Sequence, residues 1–226
     1  MDSTSDKKIK TAAVFGATGL VGEYVVRFLL ENPAYSEVKV FVRKEMPWTC
    51  PQLKVITTQF EDFNVIEDEL NVDEVFCCIG STRRKLGQFQ SFVNIDYDLP
   101  VHIAQIALKH NVSGFYVVSA QGADKRSHNY YLRTKGRLEE YLIKTGFNRL
   151  SILRPSILLG NRREFRISES LAALFSQIIS PFLQGSAKRY KCIPAEYVAR
   201  AMVRIANGKY TKQVFESEEL GIIGKL

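Results

Sequence analysis

KTAAVFGATGLVGEYVVRFLLEN, residues 10–32, decides the fold. Thr11 to Phe15 is an apolar run of strand length that ends in glycine. Val21, Val25, Phe28 and Leu29 then recur at i, i+4, i+7 and i+8, the spacing of one buried helix face. The stretch therefore reads as strand, glycine turn, helix. Gly16 and Gly19 let the backbone turn tightly and approach a pyrophosphate, which the free N–H groups at the helix start attract, and Gly22 lets helix and strand pack closely. The spacing G-x-x-G-x-x-G is one residue longer in its first interval than the usual dinucleotide fingerprint. An ordinary turn would also use glycine, but the strand before, the helix after and the place in the chain favour a nucleotide site.

Val38 to Val42 reads as a second strand ending at Arg43-Lys44. In dinucleotide folds an acidic residue here accepts the ribose 2′-OH of NAD, whereas a basic one suits the 2′-phosphate of NADP. Arg43 and Lys44 therefore point to NADP(H). Lys54 to Thr58 is a third strand, followed by a weak helical stretch to Leu70, and Val75 to Ile79 is a fourth, closed by Gly80-Ser81-Thr82. Arg83, Arg84 and Lys85 come next; they face cofactor or substrate, or simply solvent. Phe92 to His110 reads as one helix despite Leu99-Pro100, Gly114 to Val118 as strand five, Asn129 to Gly146 as a helix and Leu150 to Leu153 as strand six. Strands alternating with helices predict an α/β fold, a doubly wound parallel sheet with crossover helices. Residues 1–226 form one domain on this reading, with 156–212 as a small helical cap. Within it, Phe165 to Leu183 is an amphipathic helix that covers a pocket or serves as a packing or dimer face.

With 46% hydrophobic and 24% charged residues the chain has the make-up of a globular protein. Met1 to Lys8 is polar with no apolar stretch behind it, and no apolar run of membrane-spanning length occurs, so a soluble, cytoplasmic protein without a membrane span is expected. Cys50, Cys77, Cys78 and Cys192 lack C-x-x-C spacing and clustered histidines, which argues against a metal site or a disulfide framework. The net charge of +7 is unevenly placed. Nearly all of the excess falls after Leu153, where it attracts small phosphorylated anions or forms a solvated face; no nucleic-acid module accompanies it, and no nucleic-acid partner is expected.

Tyr131 and Lys135 stand at i and i+4 on one helix face. Tyr130 meets Thr134 instead. A phenol titrates near pH 10, too high for acid–base work at neutral pH, and a neighbouring cation lowers that value. Ser119, ending the preceding strand, is placed to hydrogen-bond a substrate oxygen.

These residues together resemble the short-chain dehydrogenases/reductases. The resemblance rests on the three loop glycines, Asn94-Ile95-Asp96, Ser119, Tyr131-x-x-x-Lys135, and Leu153-Arg154-Pro155-Ser156 with Gly160. The strings from Cys77 to Arg83, Ser119 to Lys125 and Tyr131 to Gly136 are similar to the atypical branch that contains the Tat-interacting oxidoreductase-like proteins. The resemblance implies that Tyr131 gives or takes the proton, that Lys135 binds the nicotinamide ribose and tunes Tyr131, that Ser119 orients the substrate carbonyl, and that Asn94 supports the active-site backbone. It implies cofactor contacts from the loop residues Gly16, Thr18, Gly19, Leu20, Val21 and Gly22. Further contacts come from Arg43 and Lys44, from Phe60 after strand three, from Cys78, Ile79 and Gly80 after strand four, and from Pro155 and Ser156. Two departures stand out. Thr58-Gln59 replaces the Gly-Asp that many relatives carry, and the chain after Pro155 is too short for the large domain that holds sugar nucleotides. The expected activity is NADP(H)-dependent hydride transfer to or from a small carbonyl or alcohol, by a monomer or homodimer. The alternatives are a nucleotide-binding regulatory protein acting through a protein partner, or a small epimerase or dehydratase.

Overall fold

A computed structural model describes residues 9–80, 92–159 and 192–226. Its central strand, β1 (Lys10–Phe15), is hydrogen-bonded on one side to β2 (Tyr35–Val42) and on the other to β4 (Glu74–Cys77). Ala12 to Phe15 are fully buried, as a strand covered on both faces requires. The alternation of side chains decides what covers each face. Ala12 and Val14 meet a layer that includes Val21, Val25 and Leu29 of helix α1 (Leu20–Leu30), with Val198, Met202 and Ile205 of a later helix. Ala13 and Phe15 meet the opposite layer, with Ile66, Ile103, Leu138 and Leu142. Phe15 also stacks on Phe41 at 4.4 Å between ring centres.

Seven parallel strands run in the order β3-β2-β1-β4-β5-β6-β9. The remaining members of that sheet are β3 (Leu53–Thr57), β5 (Gly114–Val118), β6 (Arg149–Arg154) and β9 (Val214–Glu216). The crossover helices are α2 (Phe63–Glu69), capped by the Asp62 carboxylate accepting from the Asn64 amide, then α3 (Leu99–Lys109) and α4 (Tyr130–Lys144). The Asn129 side chain caps α4 by accepting from the amides of Tyr131 and Leu132. The doubly wound parallel sheet expected from the sequence is thus observed.

Two regions differ from the sequence reading. The helix expected over Phe92 to His110 is divided, because Asn94–Asp98 winds as a π-turn before α3. Pro100 sits in the first turn of α3, directly after that π-turn. The end of the chain holds elements that the sequence reading did not assign. Helix α5 (Ala195–Asn207) packs on α1, β9 extends the sheet beside β6, and α6 (Ser217–Lys225) opens with a reciprocal Glu216/Glu219 capping box. Two short strands, β7 (Leu158–Leu159) and β8 (Ile193–Pro194), pair in parallel on either side of 160–191. The expected helix over Phe165 to Leu183, Gly160, the basic residues 83–85 and half of the basic residues after Leu153 lie outside the described residues.

Candidate active site

The strands after β1 step one way across the sheet and those from β4 step the other, so a crevice opens where the carboxyl ends of β1 and β4 diverge. Gly16 leaves β1 with φ +79, and a Cβ there would lie 2.6 Å from the Cys78 carbonyl oxygen. The Cys78 amide in turn donates to the Phe15 carbonyl at 2.8 Å. At Gly22 a Cβ would lie 2.1 Å from the Gly16 oxygen. The protein's own packing demands both glycines. Gly19 is different: it caps α1 in extended backbone, φ −83, and a Cβ would touch only the Gly16 oxygen, at 3.1 Å. Space is thus left above the helix start, where the first turn, from Leu20 through Val21 to Gly22, presents N–H groups with no intrahelical partner. Thr18 stands exposed on the rim. This cradle fits an anionic pyrophosphate.

Arg43 and Lys44 follow β2 and are both exposed; the Gln59 amide side chain donates to the Arg43 carbonyl at 3.3 Å. Beyond β3, Phe60 holds φ +63, rare for a non-glycine residue, with its amide on the Thr58 hydroxyl at 3.1 Å. Such backbone strain concentrates at ligand sites.

Lys135 reaches this crevice from α4. Its ammonium lies 3.0 Å from Asp96 Oδ1 and donates to the Ile79 carbonyl at 3.4 Å. Asp96 is 0% and Lys135 2% exposed. Burial pulls the ammonium pKa down, but the Asp96 carboxylate, helped by Tyr131, outweighs that and raises it, so Lys135 is charged. A Cβ on Gly80 would sit 3.7 Å from Asp96 Oδ1. The structure therefore brings Cys78, Ile79, Gly80 and Lys135 together beside the glycine loop. Asp96 was not singled out from the sequence. Asn94, which was, is exposed at the start of the π-turn, and Asp96 is the member of that turn that points inward.

Tyr131 is half-buried in the first turn of α4, its ring centre 5.9 Å from that of Phe92. One turn beyond Lys135 on the same stripe is Glu139, 3% exposed, which accepts a hydrogen bond from the Ser119 hydroxyl. Arg154 clamps Glu139 through Nε at 3.0 Å and Nη2 at 2.5 Å, and reaches Glu216 at 3.0 Å. Because its hydroxyl donates to Glu139, the Ser119 oxygen keeps its lone pairs and faces any further partner as an acceptor. After β6, the Pro155 carbonyl accepts from the Gln121 amide at 2.9 Å and the Ser156 amide donates to the Ser217 hydroxyl at 3.1 Å, which fixes both beside the loop after Ser119. Among the described residues no cluster of His, Cys, Asp and Glu could hold a metal ion.

Residues 16–208, from the first loop glycine to the residue after α5, match the family described as NAD(P)H-binding. The chain belongs to that family. It is 30% identical over 229 residues to the protein HTATIP2 of Rattus norvegicus, covering 97% of this chain and 92% of that one. It is 32% identical over 171 residues to the fmp52 protein of Emericella nidulans, 73% of either chain, which is named mitochondrial. That relative corrects the expectation of a cytoplasmic protein. Hydropathy tests for secretory leaders and membrane spans, whereas mitochondrial targeting rests on amphipathic, Arg-rich sequence that it does not score. No helix among the described residues is long and apolar enough to cross a membrane. Among solved structures, the Bordetella bronchiseptica enzyme WbmH in complex with NAD+ superposes with a TM-score of 0.68 at 17% identity, over 92% of this chain and 75% of that one. That likeness is one of fold.

Proposed function

We propose that this NAD(P)H-binding protein is an NADP(H)-dependent oxidoreductase that interconverts a small carbonyl compound and its alcohol. The observation that carries the reading is the charged, buried Lys135 lying one helical turn from Tyr131 and hydrogen-bonded to Ile79, at the edge that also holds the glycine cradle. The dinucleotide, when bound, supplies or accepts the hydride. The amides at the start of α1 hold its pyrophosphate, and Arg43 with Lys44 holds the 2′-phosphate. An ammonium has three donors; the Ile79 carbonyl accepts from one, the Asp96 carboxylate pairs with the charge at 3.0 Å, and a further hydrogen serves a ribose hydroxyl. In reduction, hydride adds to the carbonyl carbon and the Tyr131 hydroxyl gives its proton to the carbonyl oxygen, so that the alcohol forms and solvent reprotonates Tyr131. The test is a panel of small aldehydes and ketones with NADPH, followed at the reduced nicotinamide absorbance, with Tyr131→Phe as control. Turnover that Tyr131→Phe abolishes, with cofactor binding retained, supports the reading; turnover undiminished in the variant refutes the role of Tyr131.

A second reading, a nucleotide-binding protein that acts through partners, is favoured by one observation. The Ser119 hydroxyl donates to the Glu139 carboxylate, so its hydrogen is not presented to a substrate carbonyl. Tight NADPH binding with no turnover across the panel would favour that reading.

A further inference from the structure

We infer that Gln59 is a specificity-determining residue for the cofactor: its side-chain amide positions Arg43 at the end of β2, and its lack of charge leaves the 2′-phosphate of NADP(H) unopposed. The inference rests on the proposed assignment of Arg43 and Lys44 to that phosphate. The β2–β3 ladder ends at the pair Val42 and Thr57, and the Thr58 amide adds one more bond, to the Val42 carbonyl at 2.9 Å. The next carbonyl, that of Arg43, lies past the last residue of β2. It accepts from the Gln59 side chain at 3.3 Å, so a side-chain amide carries the cross-link one residue beyond the sheet. Arg43 therefore extends its guanidinium from a backbone tied to the turn after β3.

That turn is anchored on both sides of Gln59. Thr58 is 5% exposed, and its hydroxyl accepts from the Phe60 amide at 3.1 Å. Phe60 keeps φ +63, and its ring centre lies 6.4 Å from that of Phe15, the last residue of β1. A backbone angle that costs free energy persists only where its surroundings hold it. The chemistry at Gln59 then fixes the polarity of the contact. A carbonyl only accepts, so the NH2 group of the amide faces Arg43. Glutamate has nearly the same shape but, ionised, has no hydrogen to give, and would set a carboxylate against the Arg43 carbonyl oxygen. It would also join Glu45, which follows Lys44, and Glu61 and Asp62, which follow Phe60, all exposed. Three carboxylates in these two turns already oppose Arg43 and Lys44, so the position between them calls for a neutral donor if a phosphate is to be held there.

The experiment is calorimetric titration of NADPH and of NADH into the full-length protein, with ligand-free thermal unfolding as the check on folding. Gln59→Leu removes the hydrogen bond and should weaken NADPH about fivefold, and NADH by less than about twofold. Gln59→Glu also adds a charge and should weaken NADPH about tenfold or more at low salt, the excess over Gln59→Leu fading as salt is raised. In an Arg43→Ala background Gln59→Leu should cost NADPH less than about twofold, because a residue that acts through Arg43 has nothing left to position. A wild-type ratio of NADPH to NADH affinity in both Gln59 variants would overturn the inference. Equal losses for the two cofactors would do so as well, since they share everything but the phosphate, and so would an undiminished effect of Gln59→Leu without the Arg43 side chain. Gln59 is exposed, so the variants should melt with the wild type; if Gln59→Leu does not, Gln59→Ala takes its place. Arg43→Ala keeps two failures apart. If it abolishes the preference for NADPH while the Gln59 variants retain it, the inference fails and the assignment of Arg43 stands; if the wild type shows no preference, that assignment fails and takes the inference with it.

Discussion

Gly22 and Gly19 are three residues apart, one in the first turn of α1 and one at its cap, yet their surroundings differ, and alanine at each should separate packing from the proposed ligand binding. At Gly22 the new methyl would lie 2.1 Å from the Gly16 carbonyl oxygen and 2.8 Å from its carbon, both backbone atoms that a rotamer change cannot move. Helix α1 must retreat from the loop. Overpacking of this kind costs about 1–3 kcal/mol, and alanine in place of glycine within a helix returns about 1 kcal/mol. With the overlap this severe, a net loss of about 1–2 kcal/mol follows, or about 2–8 °C in Tm for a chain of this size. At Gly19 the backbone is extended and the sole near contact is 3.1 Å, so stability should change by less than about 0.5 kcal/mol. The cofactor, however, would meet a methyl where the pyrophosphate approaches the amides. Tenfold weaker binding removes about 1.4 kcal/mol of ligand stabilisation, or about 3–6 °C of the upward shift in Tm that saturating NADPH gives. Thermal unfolding with and without NADPH, backed by calorimetric titration, measures both quantities. Gly22→Ala should melt early with or without ligand, and Gly19→Ala should melt normally and respond weakly to ligand. A Gly19→Ala protein that binds NADPH with wild-type affinity would refute the assignment of this loop to the pyrophosphate.

Further outcomes follow from other parts of the molecule. Arg43→Ala should weaken NADPH by roughly 10- to 100-fold, since a charge-assisted hydrogen bond contributes about 1.5–3 kcal/mol, and should leave NADH almost unchanged; equal losses for both cofactors in titrations at one ionic strength would remove Arg43 from the 2′-phosphate site. Because Arg43 is exposed, the lower end of that range is expected at physiological salt. Glu74→Ala strips a buried carboxylate from Lys10, Tyr35 and Tyr116 and should cost about 3–5 kcal/mol in denaturant unfolding, while the folded variant keeps its NADPH affinity. Cys77, its thiol pushed up to about 11, should resist alkylation at pH 8 in the native protein, whereas the exposed Cys192 reacts; peptide mass mapping distinguishes them.

What was legible in the sequence was whatever had a period or a glycine. β1, the loop and α1 announce themselves because Ala12 to Phe15 are apolar on both faces and the helix repeats its buried face at 3.6 residues. The same holds for β5, whose limits the structure reproduces as Gly114–Val118. The carboxyl third was harder. β9 is three residues long, too short for any period, and is a strand because β6 offers it an edge. Helix α5 does carry a period, with Val198, Met202 and Ile205 on one buried face, so it was legible but not assigned; what the sequence hides is its partner α1, nearly the whole chain away. In the candidate site, the placement of Tyr131 and Lys135 one turn apart on one helix was legible from their spacing. Asp96 was not, because the π-turn changes which residue of Asn94–Asp98 faces inward, and helical periodicity at 3.6 residues cannot anticipate that. The Ser119–Glu139–Arg154 chain joins three separate elements and has no local signature.

Buried charge by itself does not mark the functional end of this sheet, for both ends carry it. At the amino end of β4, Glu74 is enclosed by Lys10 at 2.9 Å, the Tyr35 hydroxyl at 2.6 Å, the Tyr116 hydroxyl at 3.2 Å and Arg149 at 3.7 Å. Lys10 and Arg149 continue to the carbonyls that end α5, those of Ala206, Ile205 and Gly208, and so tie the last long helix to the sheet. Every group there faces another group of the protein, and the network has the form of a structural clasp. At the carboxyl end the described residues leave capacity over. One ammonium hydrogen of Lys135 lies beyond its contacts with Asp96 and Ile79, Ser119 keeps its oxygen lone pairs beyond the bond to Glu139, and the first amides of α1 have no partner within their helix. Burying polar groups costs free energy unless they are matched, so donors and acceptors left over among the described residues beside a glycine cradle support the proposed ligand site. That difference in completeness, more than the charge itself, supports the proposed cofactor site at the carboxyl ends of β1 and β4 and assigns Glu74 to stability.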